Sequence, residues 1–271
     1  MNRQSRSFRV VVFLFLLFLV WRLVLFMVPP DPDSEFNVWS FAWGAGYQIV
    51  ALFGAIIGVM VAKSWGGWSS MLGRAAYAFS LGLFFQSIGQ SASSLYVYFL
   101  GEIPYPSWGD IGFFGSIFFY IYGTFMLARV SGVLVSMKKV GKKALAVLIP
   151  VAALLASYNL FLKGHVYEGS GVIMTILDIG YPLGQAFFVS LAILVYVLSR
   201  NILGGIMRWP VLCFVIALAA QYISDFTFLY QVTRGLYIPE GLNDLMYFVS
   251  YFLMAVSLTQ LGSVFKKVRS T

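Results

Sequence analysis

The chain has 271 residues, of which 60% are hydrophobic and only 10% are charged, and its net charge is +8. A soluble domain averages roughly 45–50% apolar and about 25% charged residues, so this composition excludes an ordinary soluble enzyme, a secreted domain and a disordered chain. The single cysteine, Cys213, and the single histidine, His165, exclude an internal disulfide framework and the usual cysteine- and histidine-rich metal sites. We therefore predict a polytopic membrane protein without a metal site or a cofactor.

Eight stretches of the sequence are long and apolar enough to be membrane-spanning helices, each of which needs about 20 residues. In chain order they are residues 10–28, 38–62, 75–100, 110–130, 143–162, 172–199, 209–230 and 242–263. They are too long and too continuously apolar for the strands of a membrane barrel. The short loops between them leave no room for a separate soluble domain. The sequence predicts one all-α membrane domain over residues 1–271, an eight-transmembrane-helix bundle.

The first stretch has two interpretations. Arg3, Arg6 and Arg9 followed by an apolar run could form a cleavable signal peptide. The run is long for a signal peptide, and it ends in Val28-Pro29-Pro30 without the small residues of a cleavage site. We expect a retained first helix, whereas cleavage would leave seven spans.

The distribution of charge predicts the orientation of the bundle. With a cytoplasmic N-terminus, fifteen of the eighteen lysines and arginines fall on the inner side, and only Lys163 and Arg234 fall in outer loops. None of the ten acids falls on the inner side. Because cytoplasmic loops of membrane proteins are enriched in Lys and Arg, both termini are expected to be cytoplasmic. The positive charge is explained in this way without a nucleic-acid partner.

Three ionisable residues fall within the predicted spans, where a charge is costly and usually functional. They are Arg22, Asp178 and Asp225, and each lies about five or six residues from the outer end of its span. At a rise of about 1.5 Å per residue, all three lie at a similar depth in the outer leaflet. This depth permits an ion pair between Arg22 and either aspartate inside the bundle.

Other polar residues of the spans lie in the same outer half. Helical spacing puts Gln86 with Gln90 on one face, Gln221 with Asp225 on another, and Asp178, Tyr181 and Gln185 on a third, while Pro182 is expected to kink its helix. We predict a polar pocket that opens outward and binds a ligand or an ion. Its expected residues are Asp178, Tyr181, Gln185, Gln221, Asp225, Gln86, Gln90 and Arg22. The alternative is that these side chains only hold the helices together.

A short pattern recurs at three predicted helices: Gly109-Asp110-Ile111-Gly112-Phe113, Leu177-Asp178-Ile179-Gly180-Tyr181 and Asn243-Asp244-Leu245-Met246-Tyr247. Each places an aspartate near the outer start of a helix and an aromatic residue three positions later. Asp110 and Asp244 are expected to be helix caps, whereas Asp178 is too deep for that role. The recurrence also hints at repeated helix pairs.

Part of the sequence resembles the multi-span sensor modules that precede bacterial diguanylate cyclase and histidine kinase domains. The resemblance rests on Pro104-Tyr105-Pro106-Ser107, on Asp110 with the aromatic helix that follows, and on residues 178–184. It covers roughly residues 71–263, and its specific part is about twenty residues. The chain ends at Thr271 with a short basic tail, so we expect no output domain. The resemblance implies a sensory or ligand-binding bundle in the plasma (inner) membrane of a prokaryote, without catalytic residues.

The expected function is therefore sensor-like and non-enzymatic. The expected partners are the lipid bilayer, a small molecule or ion from the outer side, and a cytoplasmic protein on the basic inner face. One alternative is an ion-coupled transporter with Asp178 and Asp225 as coupling sites. Another is an intramembrane enzyme, since Trp108-Gly109-Asp110 resembles the Gly-Asp element of aspartyl proteases, but the family's upstream Tyr-Asp is absent.

Overall fold

The computed structural model describes residues 3–28, 37–131, 133, 140–163, 171–199, 205–232 and 234–270. These residues form α-helices with short 3₁₀ turns and one π-helical turn, and they contain no strand. The helices are α1 (Arg3–Met27), α2 (Val38–Gly46), α3 (Ile49–Ser64), α4 (Met71–Leu100), α5 (Trp108–Val130), α6 (Val140–Ser157), α7 (Val172–Ser199), α8 (Arg208–Val232) and α9 (Leu242–Ser270). The all-α prediction is confirmed.

Seven segments of the described chain are long and apolar enough to cross a membrane. They are Arg6–Met27, Val38–Ser64, Trp108–Val130, Lys143–Leu160, Val172–Leu198, Arg208–Gln231 and Leu242–Ser270, and they match seven of the eight predicted spans. The remaining prediction, residues 75–100, falls in α4. This helix has 30 residues and is about 45 Å long, but its serines and glutamines make it more polar than the others.

Local capping explains where the helices at one end of the bundle begin and end. Helix α4 ends at Gly101, whose φ of 77° is the left-handed conformation that glycine adopts easily. Helix α5 begins with a capping box, in which Ser107 and Asp110 bind each other's backbone amides. At α9 the Asp244 carboxylate accepts the backbone N–H of Glu240 at 2.6 Å. Asp110 and Asp244 are therefore helix caps, as predicted.

Six helices pack side by side in a closed ring. Their order around the ring is α3, α4, α5, α7, α8, α9 and back to α3. Helix α1 packs on the outside against α9, and α6 packs on the outside against α7. The spans of α1 and α6 are also the least buried of the candidate spans. Their exposed apolar side chains suit a lipid environment.

The ring contains an internal two-fold repeat in which equivalent residues lie 134 or 135 positions apart. The Tyr181 hydroxyl donates to Asp110 at 2.7 Å, and 134 residues away from each partner the Tyr47 hydroxyl donates to Asp244 at 3.3 Å. Helix α5 begins at Trp108 and α9 begins at Leu242, the same distance apart. Helices α2 and α3 together are thus equivalent to α7, and α4 and α5 are equivalent to α8 and α9.

A second pair of equivalent contacts supports the repeat. Gln86 of α4 donates to Ser116 of α5 at 2.8 Å, and Ser250 of α9 donates to Gln221 of α8 at 2.8 Å. Because Asp110 and Asp244 lie at the same end of the ring, α5 and α9 run in the same direction. The two-fold axis therefore runs along the bundle.

The interior of the ring is filled beyond these glutamines. Phe79 and Phe214, which are equivalent in the two halves, stack on each other with their ring centroids 4.4 Å apart. The equivalent Leu83 and Leu218 lie one turn nearer the glutamines, and all four side chains are fully buried. Apolar packing therefore closes the ring toward the ends of α3 and α5.

Candidate functional site

A cavity of about 760 Å³ occupies the other end of the ring. It lies where α4 and α8 end and where α5, α7 and α9 begin, and residues of the 101–107 and 235–240 connections border it. Cavities of roughly 300–1,000 Å³ are typical of small-molecule sites. The side of a membrane that this end of the ring faces stays a prediction.

The lining of this cavity is acidic and aromatic. Six carboxylates contribute to it, whereas the lining residues that the structure describes include no lysine, arginine or histidine. The carboxylates are Glu102, Asp110, Asp178, Asp225, Glu240 and Asp244, and the tyrosines are Tyr105, Tyr181, Tyr237 and Tyr247. In a chain with a net charge of +8, this lining concentrates more than half of all acidic residues.

Tyrosine hydroxyls hold several of the carboxylates in place. Tyr105 donates to Asp178 at 2.6 Å, and Tyr181 donates to Asp110 at 2.7 Å. Tyr237 donates to Asp244 at 3.4 Å. A hydroxyl donor satisfies one lone pair of a carboxylate and fixes its orientation, but it adds no positive charge.

Burial and neighbouring carboxylates keep the two loop tyrosines protonated. Burial, the hydrogen bond to Asp178 and the nearby negative charge raise the pKa of Tyr105 above its usual value. Burial and the charges of Asp244 and Glu240 do the same to the pKa of Tyr237. Both hydroxyls therefore remain donors well above neutral pH.

Five of the predicted site residues line the cavity together. They are Gln90 of α4, Asp178, Tyr181 and Gln185 of α7, and Asp225 of α8. The helical spacing that put Asp178, Tyr181 and Gln185 on one face is consistent with this arrangement. Pro182 lies inside α7, and its carbonyl accepts the Ser157 hydroxyl of α6 at 2.9 Å.

Gln86 and Gln221 do not line the cavity. Gln86 accepts the Tyr251 hydroxyl at 2.9 Å and donates to Ser116, whereas Gln221 donates to Asp225 at 3.1 Å and accepts from Ser250. Both amides are buried one turn deeper than the cavity-lining residues of their helices. Their hydrogen bonds join the helices beneath the cavity.

The structure places Arg22 away from both aspartates with which it was expected to pair. The Arg22 guanidinium lies over the Trp43 ring, 5.3 Å from its centroid, and it does not line the cavity. Its charge acts on Glu240, whose pKa is raised by burial and lowered by Arg22. The structure gives Arg22 no ion pair with Asp178 or Asp225, both of which it describes. The reason is that α1 packs outside the ring, against α9, α2 and α3.

Two amides at the cavity are without a hydrogen-bond partner among the described residues. Gln185 is only 5% exposed and lines the cavity, as does the half-buried Gln90. Buried polar groups in proteins are nearly always hydrogen-bonded, to protein or to ordered water. The side chains of Gln90 and Gln185 are therefore available to a molecule in the cavity, unlike those of Gln86 and Gln221.

Several lining residues were not among the predicted site residues. Asp110 and Asp244 were expected to be caps alone, and Glu102, Tyr105, Tyr237 and Glu240 lie in or beside connections between helices. The recurring aspartate–aromatic pattern is the signal that could have found some of them. Asp110 with Phe113, Asp178 with Tyr181, and Asp244 with Tyr247 all line the cavity.

Each capping aspartate has two roles at the cavity wall. One oxygen of Asp110 accepts the backbone N–H of Ser107 at 2.7 Å, and its other oxygen accepts Tyr181. Asp244 divides its oxygens in the same way between the Glu240 amide and tyrosine hydroxyls. A cap of this kind contributes about 1 kcal/mol, and here it also positions a tyrosine.

The carboxylates that line the cavity are spread around its wall. The described part of the chain has no group of three or more His, Cys, Asp or Glu residues that could hold a metal ion. The six carboxylates are distributed around the cavity on α5, α7, α8, α9 and two connections. The arrangement suits an occupant that extends over several side chains.

Known proteins give no independent guide to this site. No family model, no curated protein and no solved structure matches the chain. The resemblance to bacterial sensor modules therefore stays a prediction.

Proposed function

We propose that the protein is a sensor-like, non-enzymatic receptor that binds a small ligand in the acidic cavity. The main support for this proposal is a cavity of about 760 Å³ whose wall contains the amides of Gln90 and Gln185, which have no hydrogen-bond partner among the residues that the structure describes. An occupant with polar groups would satisfy both amides. The carboxylates and aromatic rings around them give the site a defined chemistry.

The proposal includes a location and an orientation. We place the protein in the plasma membrane of a prokaryote, with α4 as an eighth span and both termini cytoplasmic. The end of the ring opposite the cavity carries Lys63, Arg74, Arg129 and Lys266 near helix ends, and the excess of Lys and Arg on cytoplasmic loops supports this choice. The cavity then opens to the outside, and a cytoplasmic partner would dock on the basic end.

The hydrogen bonds of the Asp110 carboxylate favour a binding function over intramembrane proteolysis. A proteolytic aspartate pair needs two carboxylates that share a proton. Both oxygens of Asp110 are already engaged, one by Ser107 and the other by Tyr181. This supports a structural role for Asp110.

An ion-coupled transporter is the second candidate. Its supporting observation is that the helix is interrupted at Gln48, between α2 and α3, and that the equivalent position 134 residues later is Pro182, inside the continuous helix α7. Interrupted helices are common at transporter sites. The stacked Phe79 and Phe214 argue for a closed path in this state. Uptake of a ligand into proteoliposomes, driven by a proton or sodium gradient, would favour transport.

A tryptophan placed in the cavity tests the binding proposal. Ser94 lines the cavity, whereas the adjacent Leu95 is 57% exposed on the outside of the helix. For any small molecule that raises the melting temperature of the purified full-length protein, we expect Ser94→Trp to weaken binding at least tenfold. Leu95→Trp should leave binding unchanged. Equal affinities of both variants for every stabilising molecule would contradict a ligand site in this cavity.

A further inference from the structure

We infer that the ligand of this cavity is an organic cation, and that Asp178 and Asp225 bind its positive charge. The inference rests on the proposed binding function and names the class of ligand. It is carried by the internal repeat, by a cavity lining whose described residues include no basic side chain, and by the Gln185 amide, which has no hydrogen-bond partner in the described part of the chain.

Comparing the two halves of the repeat distinguishes the carboxylates that occur in both halves from those that occur in only one. Asp110 and Asp244 are equivalent, and both cap a helix and accept a tyrosine hydroxyl. Their presence in both halves is explained by the fold. The equivalent of Asp178, 134 positions earlier, is Gly44, and the equivalent of Asp225, 135 positions earlier, is Gln90. All four residues line the cavity. The fold is therefore built without a carboxylate at these two positions in its first half.

The Asp225 carboxylate is buried next to neutral hydrogen-bond donors. It is only 6% exposed, and its hydrogen-bond donors are neutral: the Gln221 amide at 3.1 Å and the Tyr247 hydroxyl. A buried carboxylate is costly unless it is paired with a positive charge or well hydrogen-bonded. Because no lysine, arginine or histidine is among the described residues that line the cavity, a cationic ligand would supply the pairing charge. The same lining repels an anion such as a phosphate or a carboxylate.

The remaining wall suits an organic cation better than a bare metal ion. Tyr105, Tyr181, Tyr237, Tyr247, Phe113 and Phe228 present aromatic rings to the cavity, and an ammonium group within about 6 Å of such a ring is stabilised electrostatically. Gln185 lies on the same face of α7 as Asp178 and Tyr181, and its carbonyl is free to accept an ammonium N–H. A volume of about 760 Å³ accommodates carbon atoms as well as the charged group.

The inference is tested with matched small molecules on the full chain in detergent. The probes are 1,4-diaminobutane and tetraethylammonium as cations, 1,4-butanediol as a neutral analogue, and succinate as an anion. Binding is measured by calorimetry and by the shift of melting temperature. We expect at least one cation to bind and to raise the melting temperature, whereas butanediol and succinate do neither. Asp178→Asn and Asp225→Asn should each weaken cation binding at least tenfold, and Lys63→Gln at the opposite end should not.

The repeat also suggests a variant that should strengthen cation binding instead of weakening it. Gln90→Asp creates, in the first half, the carboxylate that Asp225 supplies in the second, and it should strengthen cation binding. This variant keeps the test decisive if Asp225→Asn fails to fold. Equal binding of butanediol and diaminobutane, no cation binding below 10 mM, or weaker cation binding by Gln90→Asp would each overturn the inference. A neutral or anionic ligand that Ser94→Trp excludes would leave the binding function standing and refute only the cation.

Discussion

Replacing Gly112 by alanine is expected to destabilise the protein by about 1–3 kcal/mol, and leucine should cost more. A Cβ atom at Gly112 of α5 would lie 2.4 Å from the backbone nitrogen of Gly89 and 2.5 Å from the carbonyl oxygen of Phe85, both in α4. These are backbone atoms, so no side-chain rotation relieves the overlap. The two helices would have to separate, and with them the wall of the cavity. The measurement is the melting temperature of the purified variant.

Gly141→Ala is the matched control for this variant. Gly141 lies in α6, and a Cβ atom there would meet nothing within 4 Å. Alanine is favoured over glycine inside a helix by up to about 1 kcal/mol, so this variant should be as stable as the parent or slightly more so. If Gly112→Ala melts at the same temperature as Gly141→Ala, the close approach of α4 and α5 is wrong.

Phe214→Ala is expected to cost about 3–5 kcal/mol of stability. The Phe214 side chain is fully buried on the axis of the ring, where it stacks on Phe79. Removing it leaves a void between the two halves, because neither helix backbone can move inward without disturbing the glutamine contacts nearer the cavity. Thermal unfolding in detergent measures the effect.

The neighbouring residue supplies the comparison. Cys213 is only partly buried, so Cys213→Ala should shift the melting temperature much less than Phe214→Ala. Phe214→Leu, which keeps most of the buried volume, should fall between them. Similar losses for Cys213→Ala and Phe214→Ala would show that the interior is not packed around the aromatic pair.

The helical elements could be predicted because hydrophobic runs of this length leave few other structures. The same holds for the shared face of Asp178, Tyr181 and Gln185, which follows from helix geometry alone. The capping roles of Asp110 and Asp244 could also be predicted from the sequence, since a cap is a local interaction.

The contacts between distant parts of the chain could not be predicted in the same way. Arg22 was expected to pair inside the bundle because the sequence gives only its depth along the membrane span. That depth does not show that α1 packs outside the ring. Tyr105 and Glu240 lie in connections between helices, and hydrophobic periodicity does not predict the course of such connections. The recurring aspartate pattern hinted at a repeat, and its members Asp110 and Asp244 are equivalent. The extent of the repeat could not be predicted, because other equivalent residues, such as Gly44 and Asp178, differ in type.

Repeated and unrepeated features of the ring have different roles. Contacts that occur twice, such as those of Tyr47 with Asp244 and of Tyr181 with Asp110, build the walls. Features that occur once, above all Asp178 and Asp225, give the cavity its asymmetry. An elongated ligand with its charge at one end would bind in a single orientation in such a site.

The most direct test of an outward-facing cavity is to measure from which side of the membrane a reagent reaches it. Ser94→Cys in a Cys213→Ala background places a single thiol in the cavity wall. We expect a membrane-impermeant maleimide to label it in intact spheroplasts, with Lys63→Cys labelled only in inverted vesicles. Labelling of Ser94→Cys in inverted vesicles alone would contradict an outward-facing cavity.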